Sequence, residues 1–297
     1  MDMTSPVDGK LADTLRECST ARFTGVLRVD GQPGGTIYLA DGGIAACETP
    51  GAPGLEVILL RSRRVSEADW DAAFTAAAVA DRQMTAELID RGLLGAGEVE
   101  ALLRTALADA MFALVSGQVD SWAEAPTADC LLPLAPPARG GWLLNEATRR
   151  RQVLASFPEP AVSAQDRVAA VPGAAQATRG LGPGQDELLA LANGRRTARD
   201  LAFVLGRGLY ETMLQLSRMR VRNVVVIGSS DAAADDAAPD GAAADDAEDD
   251  RTGAGLPRRR KDRPSSPRPV EASRRGLTAG IRLLRPRSEG STLADGT

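Results

Sequence analysis

Residues 23–48, FTGVLRVDGQPGGTIYLADGGIAACE, decide how this chain folds. In the first run Leu27 and Val29 share one face, with Val26 and Arg28 on the other. Alternation of this kind is the signature of a half-buried strand. The Gly/Pro turn DGQPGG leads into TIYLA, where Ile37 and Leu39 share a face. Asp41-Gly42-Gly43 then separates TIYLA from IAACE, and Asp-Gly supplies the φ > 0 geometry of a tight turn. The stretch predicts three antiparallel strands in a meander.

Outward from the meander the period changes. A helix over about 8–19 precedes it, with Leu11 and Leu15 on one face. From Gly54 onward the spacing is helical. Ser66-Glu67-Ala68-Asp69 reads as a capping box, with the serine taking a free backbone N–H and the acid reaching back. Trp70, Ala73, Phe74 and Ala77 follow as an apolar stripe. The pattern of 59–74 recurs at 88–103, each copy reading helix, turn with one apolar residue (Val65, Leu94), helix. Two copies make a small helical subdomain, too few for a solenoid. After Met111, Phe112, Leu114 and Val115, residues 117–122 read as one more strand, expected to return to the meander. Trp70, Phe74, Phe112 and Trp122 are expected as core anchors.

Composition narrows the chemistry. Among 297 residues there is no histidine, which excludes Ser-His-Asp and Cys-His catalysis and any His-ligated metal. Lysine occurs only as Lys10 and Lys261, which leaves little room for a Ser-Lys dyad, a Schiff base or a phosphate-loop lysine. Cys18, Cys47 and Cys130 are isolated and form no CxxC, so reduced thiols in a cytoplasmic protein are expected. Cys47 reads as a small buried residue, and Asp41 as a turn residue rather than a general base. The first ten residues carry no signal peptide, and no apolar run approaches a membrane span. No catalytic residue, metal or cofactor is expected, and nothing points to a small-molecule pocket.

The first helix, TGVLRV…GTIYLADGGIAACET, the helical excursion and AMFALVSGQVDSWAE together resemble the PatA-type N-terminal (PATAN) domain family over about 11–125. The resemblance rests on Gly25 and Asp41-Gly42-Gly43 around the alternating strands. It implies a small sheet interrupted by a helical insert, here about 54–116, in a non-catalytic regulatory module that works through protein interaction. The inserted repeats also resemble the N-terminal domain of secretion ATPases, some of which bind a cyclic dinucleotide. Their pattern has Arg-Leu-Gly where this chain has Gln83-Met84-Thr85. Without that glycine, close backbone approach to a ring or phosphate is lost, and no nucleotide is expected.

Residues 126–183 read as a Pro/Gly-punctuated linker with one helix, 143–157, whose Arg149-Arg150-Arg151 is expected on a solvated face. GLGPG at 180–184 lacks the strand and the Lys-Ser/Thr of a phosphate loop. Over 184–228 the order is helix to Asn193-Gly194, a second capping box at Thr197–Asp200, helix, GlyArgGly turn, helix and strand. This order resembles a winged helix, as in some bacterial transcription regulators. Leu201, Val204, Met213, Leu216 and Met219 are expected core. For a DNA reader the candidates are Gln215, Arg218, Arg220 and Arg222 on and after the third helix; Glu211 near its start repels phosphate.

Charge marks the last boundary. Residues 231–250 hold nine acids and no base, and 251–287 hold twelve bases and two acids. With no aromatic after Tyr210, a disordered tail is expected over 229–297. Its acidic run is expected to mask its basic run from polyanions. The fold class is therefore α+β: a small antiparallel sheet with a helical insert, a winged-helix-like module and the tail. The expected function is a regulatory adaptor that binds another protein. The alternative is a DNA-binding transcriptional regulator, with DNA met by 184–228 or by the basic run at 257–287, and no membrane.

Overall fold

The computed structural model describes residues 6–126, 129–173, 182 and 184–228. The tail at 229–297, with its expected disorder and self-masking, lies outside the described residues, as does part of GLGPG. Helix α1 (Pro6–Thr20) buries Leu11 and Leu15. Strands β1 (Gly25–Gln32), β2 (Gly35–Ala40) and β3 (Gly43–Glu48) form the expected antiparallel meander, with Leu27 opposite Ile37 and Ile37 opposite Cys47. The closing strand β4 (Gln118–Ala125) returns beside β1, so the sheet runs β3-β2-β1-β4. A bulge at Asp30–Gly31 brings the Gln118 carbonyl against Gly31, at φ 145°, where any Cβ would collide with it. Val26, expected beside Arg28 on the open face, is buried as well, between Tyr38 and Ala125 of the adjacent strands.

The outer edge of β3 is closed by the segment that follows β4. Ile44 and Ala138 exchange both backbone hydrogen bonds (2.8 and 2.9 Å), and Leu134 N–H donates to the Ala45 carbonyl at 2.8 Å. An open edge would otherwise present unpaired amides to other chains.

Between β3 and β4 lie α2 (Leu55–Arg61), α3 (Glu67–Ala80), α4 (Met84–Asp90) and α5 (Ala96–Ser116). The repeat read in the sequence has its geometric counterpart. Arg63 and Gly92 hold the same left-handed conformation (φ 59° and 67°) after α2 and α4. Val65 and Leu94 are both buried in the turns that follow. The Ser66 cap is half of the expected box. Its hydroxyl oxygen accepts from Asp69 N–H at 3.1 Å, but the Asp69 carboxylate takes the Ser66 hydroxyl at 2.7 Å rather than a backbone amide. Trp70, Ala73 and Ala77 are buried, while Phe74 and Trp122 are half-buried against the core. Helix α5 is enclosed on all sides from Ala106 to Val115.

The region read as a linker contributes more than one helix. Helix α6 (Gly140–Ala155) starts earlier than expected and packs on α5 and α1. Strand β5 (Arg167–Ala170) is the middle of a second antiparallel sheet, β6-β5-β7, with β6 (Asn193–Thr197) and β7 (Val225–Gly228). Four residues give too short a run for periodicity to register. Helices α7 (Gln185–Leu191), α8 (Ala198–Leu205) and α9 (Leu209–Val221) complete this half. The helices, the glycine turn and the last strand are present, but β5 and β6 are additions, and β5 enters from before residue 184. The winged-helix-like expectation contained neither strand. The second capping box is complete, with Asp200 N–H on Thr197 Oγ1 (3.1 Å) and Thr197 N–H on Asp200 Oδ2 (3.0 Å). Leu201, Met213, Leu216 and Met219 are buried as read, but Val204 is 45% exposed on the outer side of α8.

A candidate functional site where the two sheets meet

Three helices carry the polar node at the centre of the molecule. On α6, Leu143, Ala147, Arg150 and Leu154 recur at helical spacing and are all buried. One arginine of the Arg149–Arg151 run therefore points inward, contrary to the solvated face expected of all three. Arg150 Nη1 donates to Asp109 Oδ1 on α5, and Arg150 Nε donates to Glu146 at 2.9 Å. Its guanidinium lies over the Tyr210 ring of α9, 4.8 Å from the centroid, and Tyr210 meets Phe112 edge-on at 5.6 Å. Cation–π and edge-to-face contacts of this kind gain strength when desolvated.

Asp109 is 3% exposed. Burial raises its carboxyl pKa, against the Arg150 charge and hydrogen bond and the Leu209 and Tyr210 amides at the start of α9. Its Oδ2 makes no well-formed hydrogen bond among the described residues and fills the space beside Gly208, where a Cβ would collide with it. Glu146 behaves oppositely. Hydrogen bonding from Arg149, joined by Arg150, outweighs its desolvation and pulls its carboxyl down to about 2.

Beside the node a cleft of about 460 Å³ opens between the two halves. The β1–β2 turn and the β3–α2 loop form one wall, and Ser163–Gln165 with Arg199 form the other. Phe112, Leu209 and Met213 line its base. The volume lies within the range of small-molecule pockets, roughly 300–1,000 Å³. A smaller cleft, about 230 Å³, holds Cys47 and Cys130. Burial is the main cause pushing both thiols up to about 12, so they are protonated at neutral pH. All three cysteines are free. Among the described residues no group of His, Cys, Asp or Glu could hold a metal, and no helix is long and apolar enough to cross a membrane.

The four residues singled out for DNA do not converge on one open face. Gln215 Oε1 accepts from Gln185 Nε2 of α7 at 2.6 Å. Arg220 is drawn back to the α6–β5 connection, donating to the Pro160 carbonyl (2.6 Å) and facing Glu159 (3.2 Å). Arg218, in the last turn of α9, and Arg222, just after the helix, are exposed. Sequence reading missed Asp109, Arg150 and Arg199. The inward position of Arg150 was legible from its spacing with Leu143 and Leu154, and an acid inside the apolar run LADAMFALV marks Asp109. Nothing local distinguishes Arg199.

Comparison with protein-family models, with curated proteins and with solved structures finds no match to this chain.

Proposed function

We propose that this protein is a non-catalytic regulatory adaptor that works by binding another protein, as its resemblance to the PatA-type N-terminal domain family implies. The observation that carries the reading is the outer face of α3. Ala68, Ala72, Ala76 and Val79 recur there at helical spacing, and Val79 is 84% exposed. A helix apolar on both its inner and outer faces is normally covered on both. Small side chains allow a partner helix to approach closely, with Glu67 and Asp71 at the polar rim. The test is a photo-crosslinking residue at Ala72, expressed in the native host, with and without Val79→Asp. One protein partner is expected, lost in the variant; cross-links that survive Val79→Asp unchanged would overturn the reading.

The alternative, a DNA-binding regulator, draws support from Arg218, exposed in the last turn of α9. Arg218 would supply a phosphate or base contact, while Gln215 and Arg220 are engaged within the protein. Genome-wide footprinting that finds no preferred sites removes this alternative.

A further inference from the structure

We propose that the cleft between the two halves is a binding site for a small amphiphilic carboxylate, its head on Arg199 and its apolar body over Phe112, Leu209 and Met213. The chemistry follows from what the cleft contains. Of the residues that line it, Arg199 alone is charged, and none is Asp or Glu. With one cation and no acid on its lining, and Asp200 paired to that cation from outside the lining, the cleft favours an anion over a cation.

Arg199 has donors to spare. Its backbone N–H is used, on the Ala164 carbonyl at 3.0 Å, which fixes the start of α8 beside the cleft. Its guanidinium forms a long ion pair with Asp200 Oδ1, 3.7 Å from Nη2, which leaves its other N–H groups for a ligand. The fork of a guanidinium takes a carboxylate through two parallel hydrogen bonds, and such charge-assisted pairs are the strong ones. Ser116, Ser163 and Gln165 supply neutral polar groups around the entrance, and the base is aromatic and aliphatic. Apolar walls with a few placed polar groups are the usual make-up of a ligand site. The occupant is thus a monoanion with a substantial apolar body, rather than a dianionic phosphate or a cation.

The site also has a mechanical position. Its one wall belongs to the first sheet and its other to the second half, so an occupant touches both and favours the joined state. A ligand that binds only the folded, joined form raises the melting midpoint by mass action. This inference stands apart from the α3 surface, which lies outside the cleft, so either can fail alone.

The full chain is titrated with decanoate, with decyltrimethylammonium (the same tail on a cation) and with acetate (the same head without a body), by calorimetry and thermal shift. Decanoate is expected to bind saturably at one site and raise the midpoint, with little effect from the other two. Arg199→Gln is expected to weaken decanoate about tenfold or more, and Arg199→Lys to weaken it less. Ala164→Trp, at the half-buried rim, should abolish binding. No saturable decanoate binding would overturn the proposal. So would equal binding of the cation, or an unchanged affinity in Arg199→Gln.

Discussion

Helices α3 and α5 are the second members of two copies of one sequence pattern, yet the fold treats them oppositely. Val79 on α3 and Ala108 on α5 occupy equivalent positions of the repeat; one is 84% exposed and the other 3%. Trp70 and Val99 correspond in the same way, and both are buried. The inner stripe is therefore common to both copies, and only the outer face differs. On α5 that face is covered by α6 and α9, and it carries Asp109, which pairs with Arg150. On α3 it is covered by nothing among the described residues. Local pattern fixes the helix and its first buried stripe, and position in the chain decides whether a second stripe is buried.

The comparison breaks most readily at the node. Arg150→Ala would leave Asp109 buried without its counter-charge, and a loss of about 3–5 kcal/mol is expected in denaturant unfolding. Changing Asp109 to Leu and Arg150 to Met together should recover much of that loss; a double variant as unstable as Arg150→Ala would show that the pair is not acting as a unit. Next in size is the core contrast. Phe112→Ala, at 1% exposure on α5, should cost about 3–5 kcal/mol, and Phe74→Ala on half-buried α3 clearly less. Equal losses would mean that α3 is as enclosed as α5.

Acid sharpens the same contrast. Glu146 is held down to about 2 in the folded protein, against an ordinary value of 4.5. A depressed carboxylate contributes stability above its unfolded value and loses it as pH falls toward the folded one. The wild-type melting midpoint should therefore drop between pH 4.5 and about 2, and Glu146→Gln should flatten that limb. Asp109 has the opposite sign, since its raised value favours the folded state most at low pH.

Smaller still is the tie between the two repeats. Arg64 and Glu98 pair at 2.9 Å with both side chains nearly half exposed, so Arg64→Ala should cost about 1 kcal/mol or less. Smallest is Val79→Asp, which should change stability by no more than about 0.5 kcal/mol. A large loss there would show that α3 already has a cover.

Much of this was legible because it was local. The meander, the closing strand at 118–125, the repeat and the Thr197 cap each announce themselves within a few residues. What escaped was pairing at a distance. Strand β5 is four residues long and owes its existence to β6 and β7 on either side, which the sequence brings no nearer. Val204 reads as core by its spacing, but nothing among the described residues covers that side of α8. Arg150 looked like one of three solvated arginines until its row with Leu143 and Leu154 is set against an acid 41 residues earlier. The cleft has no motif, since its two walls come from opposite halves.

That separation of Asp109 from its partner sets a clock. A ribosome adding about 5–20 residues each second leaves the nascent chain with Asp109 made and Arg150 still roughly 2–8 seconds away. Tyr210, whose ring caps the guanidinium, comes later again. For that interval α5 cannot settle into its finished surroundings, because its one buried acid has no cation to meet. The first sheet can close on β4 as soon as residue 125 is free, but the helix at its heart waits for the second half of the message.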